Sequence, residues 1–227
     1  MLTIHHSNHL EALADALATV MREPLSSPFS SELVITQSRG VARWLSLRLA
    51  DRTGVCANVR FPFPSAYAWE LYRAVCGDVP ELSAFDPEVL TWRILGLLPE
   101  LESSAAFAPV AAYVRGDHLR RYELAARLAQ LYDEYLVYRP DWIAAWERDK
   151  PPHWQAALWQ RLSKDAGAVH RAALQTQLLK ALAAADISGV LPERVSIFGA
   201  PALPPALIEL FTAVARHSDV HVFVPNP

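Results

Sequence analysis

Two periods of apolar residues take turns along the first 84 positions, one suited to strands and one to helices. Residues 2–6 read as a short strand, and Leu10, Leu13, Leu17, Val20 and Met21 then recur at helical spacing, so the next segment is a helix with one apolar face. Asn8 followed by Glu11 has the form of a capping box for its start. Polar residues and prolines over 23–31 make a loop into a continuous apolar strand at 32–37. A second helix follows from about Val41 to Asp51, burying Val41, Trp44, Leu45 and Leu49. Residues 58–61 form a third strand, ended by Pro62 and Pro64, and Ser65 caps a helix carrying Tyr67, Trp69, Leu71 and Val75.

The strand pattern vanishes between about 85 and 187. Asp86 before Pro87 is an N-cap with proline at the first helical position, opening a helix to about Leu101. Gly116-Asp117 separates two further helices, the second with Leu124, Leu128, Leu131, Tyr135 and Leu136 on one stripe. Pro140 opens a short helix that Pro151-Pro152 closes, and residues 154–163 and 170–184 supply two more. Strands return at 194–199 and 219–224, flanking a helix over 204–216. Continuous apolar runs of this kind suit parallel strands covered on both faces. The pattern therefore predicts an α/β domain with a parallel sheet, interrupted by an all-helical insertion: residues 1–84, then 85–187 as the insertion, then 188–227 as the returning part of the sheet. A chain ending just past a strand, at Pro225-Asn226-Pro227, is expected to be a fragment.

With 52% hydrophobic and 20% charged residues the chain is globular. Its net charge of −3 gives no bulk attraction to a polyanion, so any such site must be local. Lys150, Lys164 and Lys180 are the only lysines among the 21 basic residues. The two cysteines, Cys56 and Cys76, have neither disulfide-scaffold density nor metal spacing, and the expected setting is the reducing cytoplasm. No leader-like segment opens the sequence and no run approaches ~18 apolar residues, so no membrane partner is expected.

The segment from Glu32 to Leu45 has the strand, tight loop and helix layout in which nucleotide-binding proteins place a phosphate loop. It lacks the lysine and the second glycine of G-x-x-x-x-G-K-[ST], and neither late strand ends in the acid that would hold a magnesium water. No nucleotide cofactor, metal or catalytic residue is expected. Arg39 and Arg43 are one turn apart at a helix start, where free amides favour anions; the residues alone read more readily as a solvated face with ordinary surface arginines. Gln37 and Ser38 have the donors and acceptors to join a phosphate or base contact. Phe61, Phe63, Tyr67 and Trp69 cluster around two prolines, as corner packing or as a stacking surface for bases, with Trp69 the more exposed candidate. Arg127, Gln130 and Asp133 share a helix face, while Asp133 and Glu134 point apart and make no metal pair. His5, His6 and His9 read as structural, since the first two face opposite sides of a strand.

Taken together, His6-Ser7-Asn8, Gln37-Ser38-x-Gly40-x-Ala42-x-Trp44-Leu45, Phe61-Pro62-x-Pro64 with Trp69, the run Tyr135-Leu136-Val137-Tyr138-Arg139-Pro140-Asp141-Trp142, and Ala202-Leu203-Pro204-Pro205 closely resemble the RecC family, the gamma subunit of exodeoxyribonuclease V of the RecBCD type. The resemblance spans the whole chain and implies an N-terminal fragment of a longer subunit. It implies a superfamily 1 helicase-like (RecA-like) domain that has lost its ATPase motifs, with the insertion as its 1B-type subdomain. The implied role is non-catalytic: channelling the 3′-ended single strand at a double-strand break and scanning it for a Chi-type hotspot, with motor and nuclease activity in the beta and alpha partner subunits. By motif, the resemblance places DNA contacts at Gln37, Ser38, Arg39, Arg43, Phe63, Trp69, Gln130, Leu131, Asp133, Arg139 and Arg171. Arg39, Arg43, Phe63 and Gln130 stand where the best-known member has Thr, Gln, Leu and Asp, which implies a different or relaxed recognition sequence, because Arg favours guanine and Gln adenine. A scaffold that only docks the motor subunits, or an unconventional nucleotide hydrolase, are the competing readings.

Overall fold

The computed structural model describes residues 1–77, 79–184 and 189–226. They fall into two compact units, residues 1–78 with 177–227, and residues 79–176. The expected boundary after residue 187 lies outside the described residues.

The first unit is a five-stranded, wholly parallel sheet in the order β1-β5-β4-β2-β3, with β1 Leu2–Ser7, β2 Glu32–Thr36, β3 Val59–Arg60, β4 Arg194–Phe198 and β5 Asp219–Pro225. Helices α1 (Leu10–Val20) and α2 (Arg39–Thr53) cover one face, where Leu13, Leu17, Leu45 and Leu49 pack on Val34, Phe198 and Phe223. On α3 (Pro64–Cys76), Tyr67 stacks on Phe211 of α10 (Pro205–Val214), with the rings 6.3 Å apart and 3° from parallel. β4 is buried at every position, Arg194 and Ser196 included, as expected of a central strand covered on both faces.

Three helix starts differ from what the local signals indicate. Asn8 and Glu11 form no capping box: β1 runs to Ser7, which pairs with Pro225 and accepts from the Asn226 amide at 3.0 Å, so the helix starts at Leu10 with His9 as an N-cap that makes no side-chain cap bond. Ser65 is not a cap either, because Pro64, having no N–H to satisfy, occupies the first helical position and leaves Phe63 as the N-cap. The second helix begins at Arg39, two residues earlier than its apolar spacing indicates, because Ser38 Oγ accepts from the Val41 amide at 3.1 Å.

The second unit is helical: α4 (Pro87–Leu101), a 3₁₀ turn (Ala105–Phe107), α5 (Ala108–Val114), α6 (His118–Tyr138), α7 (Pro140–Arg148), α8 (Trp154–Asp165) and the start of α9 (Arg171–Ala184). Asp86 and Pro87 open α4 as expected, but the Asp86 carboxylate accepts from the Ser83 amide rather than from its own helix. Asp117 caps α6 by accepting from Leu119 and Arg120. The core joins Leu90, Ile94 and Leu98 to Leu128, Tyr132, Leu136, Ile143 and Trp159. Its buried polar atoms are met: Tyr132 Oη donates to the Gln155 carbonyl at 2.7 Å, and Trp159 Nε1 to Glu147 at 3.0 Å. His170 Nδ1 accepts from the Ala173 amide at 3.2 Å, so Nε2 carries the proton and donates to Glu147 at 3.0 Å. Burial works to raise the Glu147 carboxyl, yet the bonds from His170 and Trp159 outweigh it and hold the group below its usual range.

Candidate nucleic-acid interface

In a doubly wound sheet, ligands sit beyond the carboxyl ends of the strands, where connections leaving neighbouring strands diverge. Here the connection from β2 leads outward to β3 and that from β4 leads the other way to β5, so the switch point lies between β2 and β4. Gln37 follows β2 and the Gly199-to-Pro204 loop follows β4. Gln37 Nε2 donates to the Ala202 carbonyl at 2.9 Å, across this point. The Thr36 amide donates to the Pro62 carbonyl at 3.1 Å, which brings the Pro62-Phe63 corner to the same rim.

Gln37 and Ser38 alone join β2 to α2. A phosphate loop of the G-x-x-x-x-G-K-[ST] kind uses roughly eight residues to wrap its ligand, so this connection has no length for such a cradle. The rim offers an exposed Gln37 amide, an exposed Ser38 whose oxygen is engaged in capping, and the side chains of Arg39 and Arg43. Both arginines are exposed and share one face at i, i+4, and their guanidinium groups make no hydrogen bond or ion pair with any described residue. Arg48 and Arg52, further along the same helix, both pair with Asp15. The first turn of α2 has no acid. Two unmatched cations against the positive end of a helix dipole are locally unfavourable, and an anion reverses that sign.

The aromatic cluster divides. Tyr67 is core, and Phe61 is half-buried against the α1–α2 side of the sheet. Phe63 is 37% exposed at the N-cap of α3. Trp69 is half-buried, edge-on to Tyr72 at 5.5 Å, so it is less open than its position in the sequence indicates. A cleft of about 430 Å³ lined by Tyr67, Glu70 and Arg194 lies toward the amino ends of β2 and β4, opposite the rim, and takes no part in this site.

In the helical unit, α6 carries Gln130, Glu134 and Tyr138 as an exposed stripe at i, i+4, i+8. Arg127 Nη1 approaches Gln130 Oε1 at 3.4 Å, a long contact. Leu131 is half-buried against the core. Asp133 and Arg171, 38 positions apart in sequence, form an ion pair at 2.9 Å. Arg139, at the corner between α6 and α7, is held by Asp141 and lies over the Trp142 ring at 3.6 Å. The residue pattern alone left Tyr138 and Trp142 unassigned; an Arg followed three positions later by Trp across a helix-opening proline was the available signal.

His5 lies flat on Phe223, 4.5 Å away and 7° from parallel, while His6 faces the other side and is exposed. Among the described residues no three His, Cys, Asp or Glu side chains gather as a metal site, and no helix is long and apolar enough to cross a membrane.

Compared with known proteins, residues 2–227 match the family described as RecC, N-terminal domain. The chain belongs to the RecC family. It is 34% identical to the RecBCD enzyme subunit RecC of Escherichia coli (strain K12) over 243 residues, covering all of this chain and 22% of that protein. The corresponding subunit of Mycolicibacterium smegmatis is 36% identical over 240 residues, and that of Haemophilus influenzae 32% over 262. Against each of these relatives the chain is matched in full but spans only 21–23% of the relative's length.

Proposed function

We propose that this RecC-family chain is a non-catalytic, DNA-handling segment of a helicase and nuclease complex of the exodeoxyribonuclease V type, acting in double-strand-break repair and recombination. In this reading the sheet unit is an inactivated superfamily 1 helicase-like (RecA-like) domain and the helical block is its 1B-like insertion. The rim of the first and the α6 face of the second contact the 3′-ended single strand and scan it for a Chi-type sequence. Unwinding and cleavage belong to the beta and alpha subunits, in a cytoplasmic assembly. Arg39 and Arg43, with Phe63 and Gln130, give the site its own base preference, guanidinium groups favouring guanine.

The observation that carries the reading is the pair of unmatched arginines on the first turns of α2, at the sheet's switch point, behind a connection too short for a nucleotide. Arg39→Ala and Arg43→Ala in the full-length subunit, assembled with its partners, test it. Each is expected to weaken binding of a single strand and to lower the slope of log affinity against log salt by about 0.7 for each phosphate no longer neutralised. Unchanged affinity and slope would favour a scaffold that only docks the motor subunits.

A further inference from the structure

The sequence Tyr-Arg-Pro-Asp-Trp builds an unusual corner. Pro140 has no N–H to donate and stands at the first position of α7, so α6 ends and Arg139 serves as its C-cap and as the N-cap of α7, at φ −134° and ψ 50°. Its side chain is thereby released from the helix surface and laid over Trp142, guanidinium carbon to ring centroid 3.6 Å. Asp141 fixes the guanidinium in its own plane, accepting from Nε at 3.0 Å and Nη2 at 2.8 Å. Trp142 in turn rests on Tyr135 at 5.6 Å and Trp146 at 6.2 Å. The stack is set before any ligand arrives.

This arginine differs in kind from Arg39 and Arg43. Its charge is already met by Asp141, so it has little to gain from a phosphate. What remains is flatness: the guanidinium is covered on one face by Trp142, no second ring lies over it among the described residues, and its side chain is 41% exposed. Nη1 has no partner among the described residues. Trp142 itself is 39% exposed. Tyr138, one residue before the corner, is 58% exposed and makes no ring contact with any described residue. It closes the outward stripe of α6 that begins at Gln130.

We propose that Tyr138, Arg139 and Trp142 form a stacking step for an unpaired nucleobase at the end of α6, a contact made by planar surface rather than by phosphate charge. The inference rests on the strand-handling reading above and deepens it: a strand lying along Gln130 and Glu134 ends on this step, where a base extends the Trp142–Arg139 stack and Tyr138 flanks it. Stacking of this kind accepts any base, since each has a π-face, and Nη1 remains available for a base-edge acceptor. A rigid aromatic and guanidinium surface loses little conformational freedom on binding, which suits a strand that must pass through.

The experiment uses the full-length subunit in its assembled complex and single strands carrying 2-aminopurine at successive positions, whose fluorescence falls on stacking. Trp142→Leu, which keeps apolar bulk without a plane, is expected to raise Kd roughly 5- to 100-fold and relieve quenching at one position, with the salt slope unchanged. Arg139→Lys, which keeps charge without a plane, should also weaken binding, and Trp142→Phe should restore most of it. Tyr138→Ala alters a side chain that packs on no ring, and should weaken binding several-fold without loss of folding. The inference is overturned if Trp142→Leu and Tyr138→Ala both leave Kd within twofold, if Arg139→Lys binds as the parent does while Arg139→Ala lowers the salt slope, or if these variants release a partner subunit instead. A parent complex with no affinity for single strands removes the strand-handling reading as well; one that binds through Arg43 but ignores Trp142→Leu removes this inference alone.

Discussion

Gln37 and Ala202 are 165 positions apart in sequence, yet the Gln37 side-chain amide donates to the Ala202 carbonyl at 2.9 Å and ties the end of β2 to the loop after β4. The bond crosses the point where the sheet's connections diverge. It commits the donor half of a side chain that a passing strand would otherwise use, while Oε1 stays free to accept. Gln37→Leu, which keeps the volume and loses the bond, is expected to cost about 0.5–1.5 kcal/mol of stability and to weaken single-strand binding. Urea midpoints and strand titrations measure the two effects separately.

At the other end of the sheet Arg194 is nearly buried. It pairs with Glu32 and donates to the carbonyls of Val20 at 3.0 Å and Glu23 at 2.8 Å, locking the starts of β2 and β4 to the end of α1. Glu32→Ala leaves a guanidinium without its counter-charge and is expected to cost about 3–5 kcal/mol in chemical denaturation. Replacing both residues, Glu32→Leu with Arg194→Met, should recover most of that loss, because the stranded charge is gone.

Burial raises the Asp133 carboxyl above its ordinary value; Arg171 opposes the rise and Asp86 and Glu134 add to it. A carboxyl that is harder to ionise in the folded state than in the unfolded chain penalises folding while charged, and the penalty lifts as pH falls through the elevated value. Urea midpoints across an acid pH series should therefore show a stabilising increment that is absent in Asp133→Asn. A parallel pH profile in the two proteins would show that Arg171 fully compensates Asp133.

The strands and most helices were legible because burial on both faces of a parallel sheet demands apolar runs, and the 32–36 and 194–198 segments supply them. Helix starts were less so. At Asn8 a good local cap lost to pairing with β5, which cannot be weighed without knowing what lies alongside, while at Ser65 the competitor, Pro64 at the first helical position, stands next to it in the sequence. The candidate site shows the same division. Arg39 and Arg43 are visible as a pair because i, i+4 spacing is local, and the resemblance to the RecC family marked Asp133 and Arg171 separately. That these two satisfy each other, that His170 is fixed by Glu147, and that Gln37 reaches Ala202 are facts of tertiary packing between residues 23 to 165 positions apart. The aromatic cluster divided for a similar reason: only the stacking of Tyr67 on Phe211 decides which ring turns inward.

The pairing of β1 with β5 sets Thr3 beside His221, and the amine of Met1 reaches the carbonyls of Ala215 and Ser218 at 3.0 Å each. Among the described residues β1 therefore has no sheet neighbour until β5, more than 200 positions later, has left the ribosome. The intervening helices, whose partners lie close in sequence, are free to fold during that interval, and the sheet closes afterwards, with the insertion already formed.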